Sequence, residues 1–123
     1  MNGRSFLVDT NIALYLLAGD STIANVLDKA TTYLSFITQL ELLGFQGIST
    51  SEAKKIKHFI NDCIVVDITE EIKIKTIYIR QQYKIKLPDS IIAATAQFLD
   101  IPLLTADKDF EKIKNLAITR YEA

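Results

Sequence analysis

The sequence predicts an α/β protein: a three-layer α/β/α sandwich around a mainly parallel central sheet. Short apolar runs rich in β-branched residues alternate along the chain with longer stretches of helical periodicity, as in strands joined by helical crossovers. The length of 123 residues suits one domain with its own core. No internal repeat, low-complexity tract or Pro/Gly/Ser-rich linker interrupts it, so residues 1–123 read as a single domain.

Phe6-Leu7-Val8 is a short apolar strand, cut off by the turn or cap cluster Asp9-Thr10-Asn11. Helices follow over Ile12 to Leu17 and Thr22 to Lys29, joined at Ala18-Gly19-Asp20-Ser21. Tyr33 to Ile37, aromatic and aliphatic, reads as a second strand. Thr38 opens a short helix through Leu43, with Gly44 as its stop. Ser51 to Ile60 places Ala53, Ile56 and Ile60 on one helical face with lysines opposite. Ile64-Val65-Val66 is a third strand.

The stretch from Glu70 to Tyr83 begins with strand-like alternation, yet Ile72, Thr76, Ile79 and Tyr83 line one helical stripe. Its length favours a helix, being well beyond a typical strand. Pro88 suits the first position of a further helix to Leu99, with Asp89 in its first turn. Ile101 to Leu104 reads as a fourth strand, Asp107 to Ile113 as a helix, and Leu116 to Thr119 as a last strand.

Composition narrows the function classes. Hydrophobic residues make up 49% and charged residues 24%, a globular balance. Fifteen acids against fourteen Lys and Arg give a net charge of −1, unlike a polybasic nucleic-acid binder. A single cysteine, Cys63, excludes an internal disulfide framework and fits a reducing compartment. A single histidine, His58, excludes multi-histidine zinc sites. Both residues read as ordinary, His58 on a helix flank and Cys63 as packing. The opening MNGRSFLVDTN is too weakly apolar for a signal peptide, and no 18-residue apolar stretch exists. The expectation is a soluble, cytoplasmic domain with no membrane contact.

Chemistry in parallel sheets gathers beyond the carboxyl ends of strands. Asp9 directly follows the first strand, Glu41 lies one helical turn past the second, and Asp107 follows the fourth closely. Asp89 follows a helix, so the strand-end argument does not reach it. Each acid also has a purely structural explanation. Asp9 and Asp107 suit helix caps, Asp89 complements a helix dipole, and Thr38-x-x-Glu41 has capping-box spacing. Together the acids suggest more, because clustered carboxylates repel unless a cation joins them. Hard divalent ions such as Mg²⁺ or Mn²⁺ take oxygen ligands, which this chain offers in place of His and Cys.

Four segments carry a family resemblance: V-D-T-N near the start, an isolated Glu about 30 residues on, L-P-D-S-I-I-A-A-T-A, and L-L-T-A-D-K-D-F. In this order they resemble a PIN-domain protein, and more narrowly the VapC-type toxin ribonucleases of prokaryotic toxin–antitoxin pairs. The resemblance covers Ser5 to Arg120. It implies a metal-dependent endoribonuclease with Asp9, Glu41, Asp89 and Asp107 on the family's four acidic positions. Asp109 is a further acid that the resemblance places nearby, with a role that is either functional or structural. Thr10, Asn11 and Thr105 match polar positions that orient metal-bound water or the carboxylates. The implied partners are a cognate VapB-like antitoxin, RNA, and a second copy of the chain in a homodimer within a hetero-oligomer. The implied cofactor is Mg²⁺ or Mn²⁺, as one or two ions.

Lysines and arginines supply the complementary expectation. Lys73, Lys75, Arg80, Lys84 and Lys86 cluster before Asp89, and Lys108, Lys112 and Lys114 follow Asp107. Arg80 and Lys84 are the candidate phosphate contacts, against the plainer reading of a solvated helix face. Setting the four acids aside leaves eleven acids against fourteen bases, a basic remainder. Two other readings keep the fold: a catalytically silent binding module, and a nuclease of RNA maturation. A haloacid-dehalogenase-like phosphatase wants D-x-D after the first strand, and Asp9-Thr10-Asn11 lacks the second acid.

Overall fold

A computed structural model describes residues 4–122, so the outermost residues of the expected 1–123 domain lie outside it. The chain orders as β1 (Ser5–Val8), α1 (Thr10–Leu17), α2 (Ser21–Leu27), β2 (Thr31–Ser35), α3 (Phe36–Leu43), α4 (Thr50–Asn61) and β3 (Ile64–Val66). It continues through α5 (Glu70–Gln82), α6 (Leu87–Leu99), β4 (Leu103–Thr105), a 3₁₀ turn (Lys108–Lys112) and β5 (Ile118–Arg120). The strands form one sheet in the order β3-β2-β1-β4-β5, and every pairing is parallel. The predicted three-layer α/β/α class is what the protein adopts.

Strand alternation builds the two cores. Phe6, Val8, Leu34 and Leu104 face one side with Ile12, Ile23, Ile56 and Ile60 of α1, α2 and α4. Leu7 and Leu103 face the other with Ile72 and Ile79 of α5 and Ile92 to Ala94 of α6. Neighbouring residues of one strand thus enter opposite layers, as parallel sheets covered on both faces require. Helix α6 is buried continuously from Ser90 to Ala96, so its small residues let it lie close against α5 and the sheet. Among the described residues no helix is long and apolar enough to cross a membrane.

Strand order fixes where ligands can enter. The chain builds outward from β1 through β2 to β3, then crosses back to place β4 on the other side of β1. This reversal is a topological switch point, and it opens a crevice beyond the carboxyl ends of β1 and β4. Helix α6 must also begin at that edge. It hands over to parallel β4 through only Asp100 to Pro102, so its C-terminus lies at the amino edge and Asp89 at the opposite end. Asp100 makes the reversal in the left-handed region at φ 55. Helix α3 touches α4 of one layer and α6 of the other, and so lies across the same carboxyl edge.

Several element limits differ from the sequence expectation, each for a physical reason. The second strand covers Thr31–Ser35 rather than Tyr33 to Ile37, because the Ser35 hydroxyl accepts the Ile37 N–H and starts α3 early. Helix α1 starts at Thr10, capped by Asp9, and α2 stops at Leu27 because Lys29 turns at φ 64. Pro88 is the second rather than the first residue of α6, which Lys86 precedes as the cap residue. β4 covers Leu103–Thr105, β5 covers Ile118–Arg120 after the turn at Asn115, and Asp107 introduces a 3₁₀ turn instead of an α-helix. The stripe of α5 matches expectation at Ile72, Thr76 and Ile79, which are buried, whereas the helix ends at Gln82 and Tyr83 is its extended, half-buried cap residue.

The close seat of α6 makes a direct prediction. Ala94 is fully buried between the sheet and its neighbours, and Ala94→Leu forces extra methylenes into a filled space. Denaturant unfolding should show a loss of about 1–3 kcal/mol, and an unchanged midpoint would refute this packing.

Candidate metal centre

Asp9 leaves β1 at the switch point and is only 5% exposed. It caps α1, its Oδ1 accepting the Ile12 N–H at 2.8 Å. Its Oδ2 accepts the hydroxyl of Thr105, the last residue of β4. The pairing of Val8 with Leu104 places these two residues side by side. Burial raises the Asp9 carboxyl above its ordinary value, Thr105 and the Ile12 N–H oppose that rise, and Asp107 adds to it. The helix-cap reading of Asp9 therefore holds through one oxygen, while the other is held by Thr105 at the cleft.

Thr105 is fully buried and ties two acids together. While its hydroxyl donates to Asp9, its oxygen accepts the Asp107 N–H at 3.0 Å. Asp107 in turn caps the 3₁₀ turn, its Oδ1 accepting the Asp109 N–H at 2.9 Å. Glu41 reaches the site from α3, where it accepts the Thr10 hydroxyl at 2.5 Å. The expected capping box of Thr38 and Glu41 is absent, because Ser35 caps α3. Asp89, in the first turn of α6, completes the set.

Asp9, Glu41, Asp89 and Asp107 line one cleft of about 510 Å³, together with Thr10, Asn11, Leu14, Phe45, Lys86 and Pro88. Asp89 and Asp107 also line an adjoining hollow with Lys84, Lys86 and Asp109. Burial and the charges of Asp107, Asp9 and Glu41 push the Asp89 carboxyl up to about 6, against the pull of Lys86. The other three acids thus all act electrically on Asp89. Asp109 is exposed and belongs only to the adjoining hollow.

The basic candidates differ in reach. Lys84 borders both the hollow beside Asp89 and a depression formed by α5 and the segment before α6, whereas Arg80 lines that depression alone. The Arg80 guanidinium donates to the Ile85 carbonyl at 2.8 Å, and Arg80 does not line the acidic cleft. Lys86, named in sequence only as part of a basic run, is the cation that lines both hollows. Phe45 carried no signal in sequence: it lies beyond α3 and contributes an exposed aromatic face to the cleft wall. His58 is exposed beside Asp62, 3.7 Å away, and burial pushes the Cys63 thiol up to about 12. Neither belongs to the cleft.

The donor set fits a hard divalent cation. It is made of carboxylate, hydroxyl and amide oxygens with no thiolate or imidazole among the cleft residues. Among the described residues no three acids, histidines or cysteines stand close enough to enclose an ion by themselves. Mg²⁺ and Mn²⁺ do not require that, because Mg²⁺ keeps several waters and binds through one or two carboxylates plus substrate phosphate. The repulsion that adds to burial in raising Asp89 is what such a cation would relieve.

A PIN-domain family model matches residues 6–116. A chain from a toxin–antitoxin complex of Klebsiella pneumoniae is 30% identical, with 95% of this chain and 98% of that one covered and a TM-score of 0.81. A chain of VapBC2 from Rickettsia felis, bound to a promoter DNA fragment, gives a TM-score of 0.84 at 22% identity over 96% and 99% of the two chains. VapBC-1 from nontypeable Haemophilus influenzae gives 0.76 at 25% identity over 94% and 97%. A search of curated proteins found no significant match.

The raised Asp89 carboxyl makes the metal-free protein pH-sensitive. Its folded value of about 6 exceeds the ordinary 3.8, so this group's stability is fully present below pH 3.8 and lost as pH rises through 6. Asp89→Asn removes the charge, and should stabilise the metal-free protein by on the order of 1 kcal/mol at neutral pH. The gain should vanish near pH 4, which melting curves at the two pH values will read. A variant melting lower than wild type at neutral pH would contradict the electrostatic account.

Proposed function

This chain belongs to the PIN-domain family, and on that premise we propose that it is a metal-dependent endoribonuclease, the toxin of a VapBC-type toxin–antitoxin pair. The observation that carries the proposal is the meeting of four acids from four separate chain segments in one cleft at the switch point. Its near full-length likeness to a chain of the Klebsiella pneumoniae toxin–antitoxin complex supports the toxin assignment.

The cation proposed is Mg²⁺ or Mn²⁺, as one or two ions. When bound it supplies positive charge to phosphate oxygens and a more acidic water. Asp9 and Asp107 are direct ligands, each with an oxygen lone pair beyond its structural hydrogen bonds. Asp89 binds directly or through water. Glu41, held by Thr10, stands in the outer shell, where its carboxylate can take the proton of the attacking water. Thr105 holds Asp9 so that neither oxygen swings away, and Asn11 adds an amide to the cleft wall.

RNA is the substrate, gripped by its phosphates. Lys84 and Lys86 stand at the acidic cleft and Arg80 at the depression beyond, so the backbone would run from one to the other. These contacts position the strand without reading its bases. The same negative cleft suits a basic side chain of a VapB-like antitoxin, which would hold the toxin silent as a hetero-oligomer of toxin homodimers. The protein works in the cytoplasm, where its RNA and partner are made.

Asp9→Asn should remain folded and lose Mg²⁺-dependent RNA cleavage by at least about 100-fold, with growth arrest on induced expression abolished. A folded variant that cleaves as well as wild type would refute the site. Wild type that cleaves RNA without slowing growth would assign the nuclease to RNA maturation. Lys86→Gln should weaken RNA binding and lower the slope of log affinity against log salt by about 1, and an unchanged slope would remove Lys86 from the phosphate contacts.

A further inference from the structure

Thr38 is fully buried in α3, directly behind the acidic cleft. Its hydroxyl oxygen lies 3.1 Å from that of Thr10, and the Thr10 hydroxyl lies 2.5 Å from Glu41 Oε1. A threonine hydroxyl has one hydrogen to give. An ionised carboxylate is an acceptor only and the stronger one, so the Thr10 hydrogen goes to Glu41. The contact between the threonines then needs the hydrogen of Thr38. The three groups form a one-way relay: Thr38 donates to Thr10, and Thr10 donates to Glu41.

From this geometry we infer that Thr38 is a positioning residue for Glu41, acting through Thr10; the inference rests on the metal-dependent reading of the cleft. Thr38 touches neither cleft nor substrate. Its donation occupies a lone pair of Thr10, fixes the hydroxyl rotor and polarises it toward the carboxylate. Without it, the Thr10 oxygen loses the donor that fixes its rotor on the buried side, and the hydroxyl is free to turn toward water. Glu41 would then lose the constraint that keeps its carboxylate at the cleft.

The discriminating variants are Thr38→Val, which keeps the shape and removes the hydroxyl, and Thr38→Ser, which keeps the hydroxyl. Crystals of the metal-free valine variant should show Glu41 released from Thr10, and those of the serine variant should show it retained. Calorimetric titration with Mn²⁺ should find about 10-fold weaker binding for valine, and RNA cleavage a similar fall in kcat with KM unchanged. Thr38→Ser should restore all three. A valine variant that keeps Glu41 on Thr10 and binds Mn²⁺ within about twofold of wild type would overturn the inference, even if it melted lower, since that is a packing role alone. Thr38→Ala reads the same quantities should the valine variant not fold. Wild type that binds no Mn²⁺ would instead overturn the metal reading, while the crystals still decide the placement of Glu41.

Discussion

The hydrogen bond between Thr105 and Asp9 joins the last residue of β4 to the first residue beyond β1, across the point where strand order reverses. These strands are nearly a hundred residues apart in sequence and share a parallel register only because α5 and α6 carry the chain back over the sheet. Once Val8 and Leu104 pair, Asp9 and Thr105 must emerge together at the carboxyl edge. The same bond satisfies a buried carboxylate that would otherwise be costly, and it leaves Thr105 oriented to receive the Asp107 N–H. Helix caps and site geometry thus share the same few hydrogen bonds.

The cleft concentrates negative charge in a protein that is nearly neutral as a whole. A neutral sum hides this because Lys84 and Lys86 stand beside the acids without forming ion pairs among the described residues. The arrangement costs stability when no cation is present, and burial with three neighbouring charges raises Asp89 accordingly. Functional sites commonly hold such stress, with the remainder of the fold offsetting it. Here the offset is the two-sided apolar core, from Leu7 and Leu103 on one face to Val8 and Leu104 on the other.

Much of this was legible in sequence where local chemistry decides. The apolar runs at Phe6 to Val8 and Ile64 to Val66 are strands, and the α5 stripe is buried as its periodicity requires. Legibility failed where distant residues decide. Thr38-x-x-Glu41 and Ser49-x-x-Glu52 share one spacing, yet only the second forms a capping box, because Ser35 caps α3 and Thr10 engages Glu41 from another helix. Asp89 illustrates the same limit: its place follows from the direction of α6, which strand-end reasoning does not contain. Arg80 is a candidate phosphate contact in sequence, and the Ile85 carbonyl that accepts its guanidinium lies beyond the end of α5, on a path the helical pattern does not specify.

The central claim is that the acidic cleft is built for a hard divalent cation. Melting the metal-free protein at neutral pH with increasing Mn²⁺ tests it most directly, since a ligand that binds only the folded state stabilises it in proportion to the logarithm of its concentration above Kd. The account predicts a melting temperature that climbs steadily with Mn²⁺ in wild type and stays flat in Asp9→Asn. A wild-type protein whose melting temperature ignores Mn²⁺, or an Asp9→Asn variant that climbs equally, would contradict it.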